Sequence, residues 1–142
     1  MADGIVESPT FPPLRVGAIG TGLAMERLHW PALRRLPGHV HVVAFAEPDN
    51  RAAARFEEMS GLRSTDRYLN YHDLLARKDL DAVVVLLPID MLFDAAKAAL
   101  ESGLHVFCEK PPGGDLLAAS DFLSLEVAHP GSVLFVAENF FY

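Results

Sequence analysis

The amino-acid sequence predicts an α/β fold, a single domain built on a doubly wound, mostly parallel six-stranded sheet in the order 3-2-1-4-5-6. Three observations carry that expectation. Short apolar, β-prone runs alternate with helical stretches along most of the chain, and the turns between them are short. Such alternation favours a parallel sheet with helices on both faces, because right-handed crossovers wind in both directions from a central strand. The run DAVVVLLP at 81–88 holds consecutive large apolar residues with no polar face, as a strand covered on both sides requires. Finally, a glycine turn, Gly20-Thr21-Gly22, stands between the first apolar run and a helix.

Each element has its own signal. Residues 1–13, MADGIVESPTFPP, carry three prolines and little periodicity and read as a flexible leader before a domain at 14–142. LRVGAI (14–19) is the first strand. A helix is expected over 24–36, where Leu28, Leu33 and Leu36 fall near helical spacing. Pro31 should kink it near His29–Trp30, and Pro37-Gly38 closes it. VHVVAFA (40–46) is the second strand. Pro48 suits the start of the second helix with Asp49 near its positive end, and Ser60-Gly61 stops it.

A strand at 65–68 and a short helix at 71–77 follow. Beyond the central strand at 81–88, a helix over 90–102 ends at Gly103, and LHVFC (104–108) forms the fifth strand. A helix over about 115–128 runs to Pro130-Gly131, and SVLFVA (132–137) closes the sheet.

Composition narrows the function. Half of the chain is apolar (51%) and 22% is charged, a globular balance. Nineteen acidic against twelve basic residues give a net charge of −7, which argues against nucleic acid or an anionic membrane as partner. Arg34-Arg35 is an adjacent basic pair and fits a solvated helix face. No apolar run approaches the ~20 residues of a membrane span. Cys108 is the single cysteine and lies inside an apolar strand, so it reads as a buried structural thiol. With no signal peptide, it points to a reducing, cytoplasmic setting.

In a doubly wound sheet, ligands bind at the carboxyl ends of the strands, near the switch between strands one and four. The unusual residues of this chain fall there. Gly20 and Gly22 allow a tight turn and a close approach to a pyrophosphate, with the next helix offering its free N–H groups. Gly17 and Gly22 have P-loop spacing, but Leu23 stands where the phosphate-binding lysine belongs.

Glu47 directly follows strand two, where an acid can accept both hydroxyls of a ribose and repel a 2′-phosphate. That favours NAD over NADP. Its bland reading is an exposed acid capping the next helix, which Asp49 fits better. Glu109-Lys110-Pro111 follows strand five, where a lysine can orient a nicotinamide or meet a substrate oxygen. Taken alone, those residues read as a surface ion pair. His39 and His41 read as half-exposed packing, and the histidines give no case for a metal.

Together these stretches resemble the N-terminal half of the glucose–fructose oxidoreductase/inositol dehydrogenase (Gfo/Idh/MocA) family. The matching segments are VGAIGTGLAMERLHWPAL, VVAFAEPDNRAA, DAVVVLLPIDML, AALESGLHVFCEKPP and VLFVAENFFY, in family order over residues 14–142. The resemblance implies a Rossmann domain of an NAD(P)-dependent oxidoreductase acting on sugars, polyols or related small alcohols and carbonyls.

By the same resemblance, Gly20, Gly22, Leu23 and Ala24 would lie along the pyrophosphate, and Glu47 would hold the adenosine ribose. Leu87, Pro88 and Leu92 would line the nicotinamide side. Glu109 would contact the nicotinamide ribose, Lys110 would be the active-site lysine, and Asn139 would lie near cofactor and substrate.

Several positions depart from the family pattern. Met25 replaces the third small residue of the glycine fingerprint, and a shifted helix is expected rather than a lost site. Leu87 stands at a threonine position, Leu92 at a histidine position and Phe141 at a position that is often arginine. All three changes make the site more apolar. Family members also continue into a second α/β domain that supplies most substrate contacts and the oligomer interface, whereas this chain ends at Tyr142. The resemblance therefore implies a fragment or a stand-alone cofactor domain, weakly active or inactive without a substrate domain.

Such a domain would meet a separate substrate domain or associate with itself through the uncovered face. Two other readings compete. The apolar site positions fit a non-catalytic nucleotide-binding or scaffold protein. An S-adenosylmethionine methyltransferase shares the glycine loop and the acid after strand two, but lacks the EKP segment.

Overall fold

The structure, a computed structural model, describes residues 11–138. Six strands form one parallel sheet: β1 (Leu14–Ile19), β2 (Val40–Ala46), β3 (Arg67–Tyr68), β4 (Ala82–Val85), β5 (His105–Glu109) and β6 (Leu134–Ala137). Their order is β3-β2-β1-β4-β5-β6, as the alternation of elements implies. β1 lies between β2 and β4, paired with β4 from Val16–Ala82 to Ile19–Val85. Against β2 its register shifts between Val16 and Gly17.

The crossovers are a helical run at 23–33, then α2 (Asn50–Ser60), α3 (Tyr71–Leu75), α4 (Ile89–Glu101) and α5 (Leu116–Ala128). The run at 23–33 ends in α1 (Trp30–Leu33).

Alternation along the strands sorts apolar side chains onto two faces. On one face Ile19, Ala44, Ala46, Val83, Val85, Val106 and Cys108 join Ala95, Ala96 and Ala99 of α4 and Phe122 of α5. The small residues of α4 let its axis lie close to the sheet. On the other face Ala18 and Phe45 pack with Met25, Ala53 and Phe56. Phe56 stands edge-on to both Phe45 and Trp30, at 5.2 and 5.5 Å between ring centres, an arrangement aromatic rings prefer. One face of the β5–β6 pair is less covered: Phe107 is half-buried and stacks on Phe135, which is 40% exposed.

Several boundaries differ from the sequence expectation, each for a local reason. The first helix does not simply kink at Pro31. It opens into a π turn over Met25–His29, where the N–H of Trp30 reaches Met25 O. Pro31 has no N–H to offer the carbonyl four residues earlier, so the ladder widens just before it. The second helix starts at Asn50 rather than Pro48, because Asp49 is its cap and accepts from Arg51 and Ala52 N–H. Those bonds hold the Asp49 carboxyl below its usual range.

The fourth strand is shorter than its apolar run. It ends at Val85, and after the Leu86 N–H bonds Ile19 O at 2.8 Å the chain turns away through Pro88. The fifth strand continues through Glu109, and the sixth begins at Leu134. Residues 1–10 of the leader, together with Asn139 and Phe141, lie outside the described residues. His39 and His41 are exposed, and the His41 ring contacts Pro37 O.

A charged cluster secures the amino end of the sheet. Asp81 accepts from Arg15 N–H, and the Arg15 and Arg77 guanidiniums both reach Asp79. These cations hold the Asp79 carboxyl well below the carboxylate range, Arg77 contributing most. A depressed carboxyl stabilises the fold above its unfolded pKa, and that stability is lost as pH falls through the folded value. Because Asp79 is 42% exposed, the effect is below about 1 kcal/mol. Asp79→Asn is therefore expected to lower the urea midpoint at pH 7, and its deficit against wild type should shrink below about pH 4. An equal deficit at pH 7 and pH 3 contradicts this.

Candidate functional site

β1 leaves the sheet between two neighbours, and the exit is tight. Gly20 has φ +84, and a Cβ there would stand 2.5 Å from Leu86 O. Its N–H donates to Ala46 O at 2.9 Å. Only glycine meets both the left-handed backbone and the lack of space. Thr21 then turns fully inward, whereas a Cβ on Gly22 would meet nothing within 4 Å. The helical run starts at once, so its opening amides have no carbonyl four residues back within the helix. Met25 is fully buried beneath that run, its thioether within the Phe45–Phe56 cluster, and the π turn opens around it.

Glu47, at the end of β2, is only 8% exposed. Its Oε2 accepts the Thr21 N–H at 2.8 Å and the Thr21 hydroxyl at 3.3 Å, while Oε1 accepts the Asp49 N–H at 3.0 Å. The Glu47 carbonyl is held in turn by Arg67 Nε. Glu47 is thus a buried brace between the strand-two exit and the glycine turn, and helix capping falls to Asp49.

Above this brace lies a cleft of about 530 Å³. Gly20, Gly22, Glu47, Leu87 and Pro88 all line it, so the structure brings together five of the residues chosen from sequence. Leu69, Asn70, Tyr71 and Met91 line it as well. Asn70 caps α3 through the His72 N–H, and burial raises the Tyr71 phenol above its usual range, with Asp94 adding to the shift.

The other expected residues are placed differently. Leu23 (57% exposed) and Ala24 open the helical run without forming a cleft wall. Leu92 is 2% exposed and packs into the core, because its face of α4 meets the sheet; the neighbouring Met91 faces the cleft. Asn139 lies outside the described residues.

Glu109 and Lys110 stand at the β5 exit. Glu109 pairs with His29 of the π turn, Oε1 to Nε2 at 2.7 Å, and its Oε2 accepts the Lys110 N–H at 3.2 Å. Lys110 is exposed. Cys108, one residue earlier, is fully buried with its thiol toward Phe135 O, and burial pushes the thiol up to about 12, with Glu109 adding to the shift.

Sequence reasoning missed Thr21, His29 and the Leu69–Tyr71 wall. Thr21 is the middle residue of the G-x-G turn and His29 lies in the HWPAL segment, so both had a signal. The Leu69–Tyr71 wall had none, since it depends on where the two-residue strand β3 ends.

A tight exit at Gly20 with no room for a side chain, open helix amides and a buried carboxylate after β2 fit a dinucleotide lying across the strand ends. Comparison with known proteins agrees. A family model described as an oxidoreductase family with an NAD-binding Rossmann fold matches residues 14–137. The chain is 34% identical over 114 residues to inositol 2-dehydrogenase of Corynebacterium glutamicum, covering 80% of this chain and 33% of that protein.

Among solved structures, an oxidoreductase from Thermotoga maritima superposes with a TM-score of 0.83 at 30% identity, covering 90% of this chain and 39% of that one. A variant 3-ketoreductase from Actinomadura kijaniata, in complex with TDP-benzene and NADP, gives 0.76 at 34% identity, covering 88% and 37%. The chain spans about a third of the length of the curated relatives it matches.

The tight β1 exit makes a direct prediction. Gly20→Ala should destabilise the fold by about 1–3 kcal/mol, read from the denaturation midpoint, whereas Gly22→Ala should leave that midpoint within about 0.5 kcal/mol. Equal effects at the two glycines contradict the geometry.

Proposed function

Because this chain belongs to the Gfo/Idh/MocA oxidoreductase family, we propose that its NAD-binding Rossmann domain uses NAD in preference to NADP and serves hydride transfer on sugars, polyols or related small alcohols and carbonyls. The observation that carries the cofactor preference is the buried Glu47 carboxylate in the cleft, beside the glycine turn. A carboxylate there accepts ribose hydroxyls and repels the extra phosphate of NADP. The substrate class is supported by the name of the similar inositol 2-dehydrogenase.

In this reading Gly20, Gly22, Leu23 and Ala24 follow the pyrophosphate and Glu47 takes the adenosine ribose. Leu87 and Pro88, with Leu92 behind them, shape the nicotinamide side. Glu109 meets the nicotinamide ribose, and Asn139 stands near the cofactor and substrate. Bound at this cleft, the dinucleotide supplies the hydride chemistry. The chain's own work is to orient it, exclude water along the apolar Leu87–Pro88 wall, and present Lys110 Nζ to the carbonyl or hydroxyl oxygen of a substrate. Lys110 alone gives little proton transfer, so residues 1–142 by themselves bind the dinucleotide with weak or absent turnover.

Titration with NADH and NADPH, followed by nicotinamide fluorescence, tests the reading. NADH should bind more tightly than NADPH, and Glu47→Ala should weaken NADH about tenfold or more while narrowing the gap between the two. Folded protein that binds no NADH at millimolar concentration defeats the proposal. Lys110→Ala should leave NADH affinity within about threefold and remove any residual turnover.

A further inference from the structure

The π turn delivers one side chain that the cleft itself does not use. His29 is its last residue, with a side chain only 14% exposed. The ring stands edge-on to Phe107, 5.7 Å between centres, and its Nε2 lies 2.7 Å from Glu109 Oε1. The contact joins positions 80 residues apart and passes over β4, from the helix behind the glycine turn to the exit of β5. Aromatic packing fixes the ring, and the ring in turn fixes one carboxylate oxygen. The other oxygen is left toward the Lys110 N–H.

Resting on the cofactor reading above, we infer that His29 is a positioning residue for the nicotinamide half of the site, acting through Glu109. Without a donor at His29, the Glu109 carboxylate, 23% exposed, is free to take other rotamers and turn toward water. With that donor, its free edge is held where the second ribose of a dinucleotide lies. The same contact couples the two halves of the crevice. A shift of the helix behind the glycine turn moves His29, and so moves the carboxylate that faces the nicotinamide ribose. The π turn matters because a wider turn changes the direction of the residue that ends it, and Pro31 keeps the turn wide.

A merely structural staple and a positioning residue give different ligand profiles. The test titrates wild type, His29→Ala and His29→Gln with NADH, with ADP-ribose, which keeps the second ribose, and with ADP, which lacks it. Melting curves accompany each titration. His29→Ala should weaken NADH and ADP-ribose about tenfold and leave ADP within about twofold. His29→Gln, which keeps a side-chain N–H donor, should recover most of the loss and serves as the folded comparison if the alanine variant does not fold.

Equal loss of all three ligands, or no loss of any, overturns the inference while leaving the cofactor reading intact. Failure of His29→Gln to recover NADH affinity in a folded protein also overturns it. A wild-type chain that binds none of the three overturns the cofactor reading, and this inference with it.

Discussion

The carboxyl end of this sheet is organised by a shortage of space at Gly20. β1 is the central strand, hydrogen-bonded on both sides, so its chain must leave between the ends of β2 and β4 without displacing either. At Gly20 it does so with its N–H on Ala46 O and its missing Cβ against Leu86 O. Once that exit is set, the rest follows by geometry. Thr21 has nowhere to point but inward, where Glu47 receives it, and Gly22 is left facing open space. Leu86 to Pro88 must turn outward, which gives the cleft its second wall. The cleft is the space left when two parallel strands part company around a third.

Burial then decides where chemistry can sit. Val83 and Val85 are fully buried and Val84 nearly so, so β4 can present no functional side chain along its length. Unpaired polar groups within such a sheet are costly, and the polar side chains collect at its ends. Glu47 and Glu109 stand at the carboxyl end; Arg15, Arg77, Asp79 and Asp81 stand at the other. Among the described residues the buried charged side chain is Glu47, and Thr21 and Asp49 hold it.

The topology was legible because alternation, crossover handedness and an all-apolar strand leave few arrangements open. That Gly20, Gly22 and Glu47 line the cleft was legible for a similar reason: the crevice of such a sheet lies at its strand ends. The remainder was not, and the causes are physical. Leu92 follows family spacing into the α4 helix, yet the helical period turns that face to the core and gives the cleft Met91 instead. The π turn is invisible to a search for regular helices, although Pro31 announces a disturbance, and with it goes the pairing of His29 and Glu109. A contact between residues 80 positions apart has no local signature. It appears only when three strands are in place.

Trp30 sits at the junction of these parts and is the chain's single tryptophan. Its indole meets Phe56 edge-on at the end of the π turn, next to His29 and behind the glycine turn. The molecule's entire indole emission therefore originates from the one helical run that joins the glycine turn to the β5 exit through His29 and Glu109. Its emission reports on how that helix packs against Phe56 of α2, so the protein carries its own optical probe directly behind the glycine turn.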